Sequence, residues 1–217
     1  MKIEINVPTT LNEITLGQYQ KFLKIAENNP DGNFLNAKMI EIFCGIPLSD
    51  SYKLKMSSVT AIIEILSELL ESTPKHQEKF TIGITDYGFI PDLNDMSLGE
   101  YIDLDNNASN WEQMHVAMNV LYRPIKESRV GKYNIVDYNI STSENLKDMP
   151  LGAAIGSLFF FYNLGTELSR HTILYSNNHQ EMEAIQEQLT LEQNGVGINQ
   201  FMLSLTEILQ SLKISLN

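Results

Sequence analysis

From Met149 to Thr166 the chain carries no charged side chain. Such a stretch has to be kept from water, by lipid or by protein. Pro150, Gly152, Ser157, Gly156, Asn163 and Gly165 interrupt it, and its apolar part falls short of the roughly 20 residues that span a bilayer. Gly152-x-x-x-Gly156 would make a helix-dimer seam in lipid; in a water-soluble chain the same small residues let a helix lie close against its neighbours. The expectation is therefore a buried helix over about 150–176, with Pro150 at a first position where a missing N–H costs nothing. Phe159-Phe160-Phe161-Tyr162 puts aromatics around a full turn. That helix needs cover on nearly every side, from its own chain or from a partner.

Two other helix starts are written as capping boxes, Thr15-Leu16-Gly17-Gln18 and Ser97-Leu98-Gly99-Glu100. In each the hydroxyl accepts from the third helical amide and the Gln or Glu reaches back. They open helices over roughly 16–28 and 98–107, each followed by a second helix, 36–45 and 110–123, that stops near Pro47 or Pro124. The repeated pattern reads either as an old duplication or as one good start used twice, and the few matching letters favour the second. Val59, Ile62, Ile63, Leu66, Leu69 and Leu70 recur at helical spacing. Residues 1–8 alternate like a strand. Phe80–Thr85 and Phe89–Pro91 read as a hairpin turned by Asp86-Tyr87-Gly88, and 132–138 as one more short strand. Helices follow at 178–193 and 198–215. The predicted class is mainly α (α+β): a helical body with a small β-hairpin and one or two short extra strands. It reads as a single domain over 1–217, with quasi-repeat halves 14–47 and 96–124 and a C-terminal helical part 149–217.

Hydrophobic residues at 43% and charged residues at 19% argue against wholesale disorder. One cysteine, Cys44, excludes an internal disulfide and fits a reducing compartment. The start, Met1-Lys2-Ile3-Glu4-Ile5, does not read as a signal peptide, and none is expected. Net charge is −12, unevenly spread. Residues 80–122 carry Asp86, Asp92, Asp95, Glu100, Asp103, Asp105 and Glu112 with no Lys or Arg; Arg123, Lys126, Arg129 and Lys132 then follow against Glu127 alone. That basic segment is too small for a nucleic-acid face on an acidic chain. The acidic block reads as solvated surface, or as a face that meets the basic segment of the next subunit and sets docking register.

No set of residues converges on a reaction. The four histidines, His76, His115, His171 and His179, make no zinc spacing. Glu112-x-x-His115 has di-iron spacing, but Met114, Met118 and Leu121 around it suggest a partly exposed helix face. Asp103-x-Asp105-x-Asn107 starts like a calcium loop and fails at Ala108 and Met114, where glycine and glutamate belong. Glycine-rich phosphate loops and a Gly-x-Ser-x-Gly elbow are absent from the sequence. Cys44, in an apolar helix end, reads as an inert buried thiol. No cofactor or metal is expected. The residues expected to matter are those of an interface: Asp92, Asp95, Asp103 and Asp105; Trp111, which opens a helix; Arg123, Lys126, Arg129 and Lys132; and Phe201, Leu205, Leu209 and Leu212 on the last helix. Arg123 doubles as a candidate cap for the carbonyls at the end of its helix.

Three stretches taken together resemble a known family: Gly88-Phe89-Ile90-Pro91-Asp92-Leu93 with Ser97-Leu98-Gly99-Glu100-Tyr101; Leu121-Tyr122-Arg123-Pro124-Ile125; and Met149-Pro150-Leu151-Gly152 with Phe159-Phe160-Phe161. They are similar to proteins encoded among the virion and assembly genes of tailed bacteriophages, including crAss-like phages of gut Bacteroidetes, over about Thr15 to Leu168. The resemblance implies a non-enzymatic structural or assembly protein of the neck, tail or capsid interior. It also implies a homo-oligomer or ring that contacts other phage structural proteins, in the virion or host cytoplasm, with no nucleic-acid or membrane partner. A tail-assembly chaperone that leaves the finished particle is the alternative, and an enzyme with an unrecognised site a more distant one.

Overall fold

The computed structural model describes residues 4–29, 32–129 and 131–178. Helices α1 (Leu16–Asn28), α2 (Asn33–Cys44), α3 (Leu48–Ser51) and α4 (Met56–Leu70) come first, then strands β1 (Lys79–Ile82) and β2 (Thr85–Phe89). After them run α5 (Leu98–Ala108), α6 (Met114–Leu121), β3 (Tyr122–Arg129), β4 (Lys132–Ile135) and α7 (Leu151–Asn178). Short 3-10 turns occupy Leu11–Glu13, Leu93–Asp95 and Trp111–Gln113, and a longer 3-10 run spans Ile140–Asp148. The fold is thus mainly helical, with one small antiparallel sheet in the order β1-β2-β3-β4.

Helix α6 sits at the centre. Its sequence, Met-His-Val-Ala-Met-Asn-Val-Leu, is apolar nearly all round, the pattern of a helix with no solvent face. Every residue of it is buried. It packs against α5 and the 140–148 run. Burying each large side chain contributes about 1.5–3 kcal/mol, so this one short helix anchors the core. The expectation of a partly exposed face around His115 is therefore wrong: the charge-free stretch Met114–Leu121 is interior on all sides.

The uncharged stretch beginning at Met149 is interior as well. Leu151 to Leu158 are all buried, and no helix among the described residues is long and apolar enough to cross a membrane. The two small residues act as the sequence suggests, although loops and not helices approach them. A Cβ on Gly156 would stand 2.5 Å from the Lys75 carbonyl oxygen, and one on Gly152 would collide with Asn12 Oδ1. The start of α7 is tied to the start of α1. Thr15 and Pro150 form an isolated antiparallel bridge, with Leu16 N–H donating to Met149 O at 2.9 Å and Leu151 N–H donating to Ile14 O at 2.8 Å. Ile14, Leu16, Met149 and Leu151 around this clasp are fully buried.

Both capping boxes form, Thr15 with Gln18 and Ser97 with Glu100. Four expectations need correction. The helix predicted over 110–123 is a 3-10 turn plus α6, and it ends at Leu121, because the chain passes straight into β3. Ile90 N–H, just past β2, donates to Leu121 O at 2.7 Å, so the sheet claims the backbone before Pro124 is reached. Pro124 lies within β3, opposite Tyr87. The hairpin turns at Gly83-Ile84, where Gly83 takes φ 61°, and Asp86-Tyr87-Gly88 belongs to β2. That register stacks Tyr87 on its cross-strand neighbour Phe80, rings 5.6 Å apart. Residues 4–9 form no strand. Their alternation reflects Ile5 and Val7 packing on the core without a pairing partner. The last strand stops at Ile135, short of residue 138. The helices expected at 178–193 and 198–215 lie outside the described residues.

Two glycine substitutions should separate packing from propensity. Gly156→Ala drives a methyl into the backbone carbonyl of Lys75 and should cost about 1–3 kcal/mol. Gly99→Ala, with nothing within 4 Å of the new Cβ, should stabilise α5 by about 0.5–1 kcal/mol. Urea midpoints of the two variants check this.

Candidate functional site

The buried polar groups are arranged first. Glu100, fixed at the third position of α5 by its capping box, accepts from Ser97 N–H at 2.7 Å. Its other oxygen receives Arg123 Nη1 of β3 at 2.8 Å. Both residues are over nine-tenths buried, at 7% and 8% exposure. Burial alone would raise the Glu100 carboxyl, but the Ser97 hydrogen bonds and the Arg123 charge outweigh it, and its pKa falls below the usual range. Arg123 is thus neither a helix cap nor a surface anchor. It is the internal counter-ion that fastens α5 to the sheet, and its buried Nε–H has no acceptor among the described residues.

His115 of α6 is 4% exposed. Gln20 Nε2 lies 3.2 Å from its Nδ1 and Glu144 Oε1 lies 3.2 Å from its Nε2. A Gln amide can only donate there, which makes Nδ1 the acceptor and leaves Nε2–H to donate to Glu144. The ring is neutral in that arrangement. Burial and the nearby Lys147 lower its pKa below the ordinary 6.5, against the pull of Glu144. Asn119, one turn on, donates to Asn139 O at 2.9 Å and accepts from Thr142 Oγ1 at 3.1 Å. Glu112, the other half of the di-iron spacing, points to Lys24 at the surface, 3.6 Å away. Asp103, Asp105 and Asn107 lie within α5 and form no loop. Among the described residues no three His, Cys, Asp or Glu side chains group to hold a metal. Cys44 ends α2 half-buried, and burial pushes its thiol up to about 11, so it stays protonated at neutral pH.

Two open hollows lie where β4 faces the segment after β2. One, of about 600 Å³, is lined by Asp92, Asp95, Glu100, Arg123, Asp137 and Tyr138, among others. The second, of about 750 Å³, takes in His76, Glu78, Phe89, Lys132, Tyr133 and Phe160. Tyr138 Oη donates to Asp103 Oδ2 at 2.8 Å, so that half-buried carboxylate is already bonded within the chain. Tyr133 crosses from β4 over β2, where any Cβ on Gly88 would strike its ring, and donates to Phe89 O at 2.7 Å. His76 lies edge-on to Phe89 at 4.6 Å and stacked on Phe160 at 4.7 Å. Burial lowers its pKa below 6.5 against the charge of Glu78.

The expected interface residues therefore divide. Asp92 and Asp95 are exposed at the first hollow, and Lys126, Arg129 and Lys132 are exposed on the β3–β4 hairpin. Asp103 and Asp105 are half-buried. Trp111 packs edge-on against Tyr19, ring centroids 5.1 Å apart, with its indole N–H buried and unpartnered among the described residues, and joins the 3-10 turn before α6 to α1. Phe201, Leu205, Leu209 and Leu212 lie outside the described residues. Sequence reading missed His76, Tyr133, Asp137 and Tyr138. The signal available was Gly88, which in a strand marks a close approach, but the sequence reading placed it in a turn.

No family model matches the chain, and no curated protein or solved structure matches it.

Two measurements check this electrostatic account. Arg123→Ala strands a buried carboxylate and should cost about 3 kcal/mol or more, while adding Glu100→Ala should cost less than the two single losses combined. His115 and His76 both resist protonation in the folded state, so the unfolded chain binds more protons near its ordinary 6.5. Their contribution to stability is present above that value and is lost as pH falls below it through their lowered folded values. The urea midpoint should drop as pH falls below about 6.5, and His115→Gln should flatten part of that drop.

Proposed function

We propose that this chain is a non-enzymatic structural or assembly protein, of the kind found in tailed-phage necks, tails or capsid interiors, that acts through protein–protein contacts as a homo-oligomer. The observation that carries the reading is the division of its polar groups. Of the buried ones, Glu100 and Arg123 pair with each other, His115 bonds to Gln20 and Glu144, and Asn119 bonds to Asn139 O and Thr142. Among the exposed ones, Asp92, Asp95 and Asp137 border one hollow, while Lys126, Arg129 and Lys132 outnumber Glu127 on the β3–β4 hairpin. Opposed patches on one surface suit head-to-tail contacts, the heterologous kind that closes into rings. Charge complementarity of this sort sets register and on-rate. The phage assignment is supported by the resemblance of the Gly88–Tyr101, Leu121–Ile125 and Met149–Phe161 stretches to virion and assembly proteins.

Light scattering on the full chain tests the oligomer. A mass above one chain is expected at about 50 mM salt, reduced at about 500 mM and by the double change Lys126→Glu/Arg129→Glu. A salt-independent monomer contradicts the reading. Mass spectrometry of purified particles should find the chain retained; its absence favours the assembly-chaperone alternative.

A further inference from the structure

We propose that the outer edge of β4 is a docking track for an extended, basic segment of a partner protein, which pairs with it as an added strand. This rests on the protein-binding reading above and names the site and the chemistry of the partner.

Strand β4 is the last strand of the sheet, bonded to β3 on one side. Val136 N–H donates back to Pro124 O at 3.0 Å. Backbone direction alternates along a strand, so the amides of Tyr133 and Ile135 point the other way. Among the described residues no strand pairs with that side. The two hollows meet along it, sharing Ile90, Pro91, Asp92 and Asn134. Every residue from Gly131 to Tyr138 lines one or the other. A hollow over the face of a strand would touch alternate residues; one that touches consecutive residues runs along the edge. Strand β4 itself, Lys132–Ile135, offers an edge of about 13 Å, and the first hollow continues along Val136, Asp137 and Tyr138.

The same hollows state the chemistry. Glu78, Asp92, Asp95, Glu100 and Asp137 line them, against Lys132 and Arg123, and Glu100 already neutralises Arg123. The remaining excess is negative and sits beside the strand edge. Phe89, Phe160 and Tyr133 supply an apolar wall to the second. Added strands gain affinity from main-chain hydrogen bonds and specificity from the pockets that take alternate side chains. An extended segment with Lys or Arg at alternate positions fits this surface; an acidic one is repelled.

The test uses the full chain and two fluorescein-labelled, end-capped octapeptides, one alternating Lys and Val, the other Glu and Val, read by anisotropy. The basic peptide should bind at least about tenfold more tightly than the acidic one. It should slow hydrogen exchange at the Tyr133 and Ile135 amides. Ile135→Pro removes one outward donor while leaving the bonds to β3, and should lose most of the binding with circular dichroism unchanged. Asp92→Asn/Asp95→Asn/Asp137→Asn, all at exposed positions, should weaken the basic peptide about tenfold or more if Ile135→Pro does not fold. Equal binding of both peptides, no binding of either, or protection that spares β4 overturns the proposal. If the peptides fail while the chain still self-associates by light scattering, the docking track falls and the assembly reading stands. If neither peptide binding nor self-association is found, both fall.

Discussion

A helix that is apolar on every side has to be covered on every side, and α6 imposes that demand on the rest of the molecule. It packs against α5 and the 140–148 run, and its own polar residues require partners brought from far along the chain. Gln20 and Glu144 meet His115, and Asn139 and Thr142 meet Asn119. Each of these groups would cost about 1–3 kcal/mol if buried without a partner. The interior is therefore specified by hydrogen bonding as well as by apolar volume. The Ile14–Leu16 and Met149–Leu151 clasp then joins the first helix to the last across nearly the whole described chain.

The same economy explains why the sheet ends where it does. Once α6 passes directly into β3, the first part of β3 pairs with β2 and the rest with β4, with an irregularity between Ile125 and Glu127. Such bulges bend the strand and increase its twist. Tyr133 then lies over Gly88, holding β4 across β2, and Lys79 Nζ sits 4.4 Å from the tyrosine ring on the far side of the hairpin. The result is a closed core beside an open strand edge, with acids along the edge and bases at the hairpin's end. Surface function follows from interior packing, because the register of β3 decides which groups face water.

Local features of this fold were legible in the sequence and long-range ones were not. The capping boxes at Thr15 and Ser97, the α4 periodicity and the buried uncharged start of α7 depend on residues within a turn or two, and the sequence carries those. The end of α6 does not. Nothing between Leu121 and Pro124 announces that Ile90 will bond to Leu121 and pull the chain into a strand. Arg123 looked like a helix cap for the same reason, since its partner Glu100 lies on another helix. The hairpin turn was misplaced because Asp86-Tyr87-Gly88 and Gly83-Ile84 are both plausible turns, and only the pairing of Phe80 with Tyr87 in the core decides between them. At the candidate site the charge blocks were visible as composition. The hollows were not, because Asp137 and Tyr138 reach Asp92, Asp95 and Asp103 only through the β3–β4 hairpin.

The central claim is a closed interior beside an open sheet edge, and hydrogen exchange on the full chain reads both at once. Amides of α6 should exchange only through global unfolding, with the free energy measured by urea. Those of Tyr133 and Ile135 should exchange far faster than their inward-facing neighbours Asn134 and Val136. Exchange of α6 well below the global free energy, or β4 amides equally protected on both sides, would contradict the account.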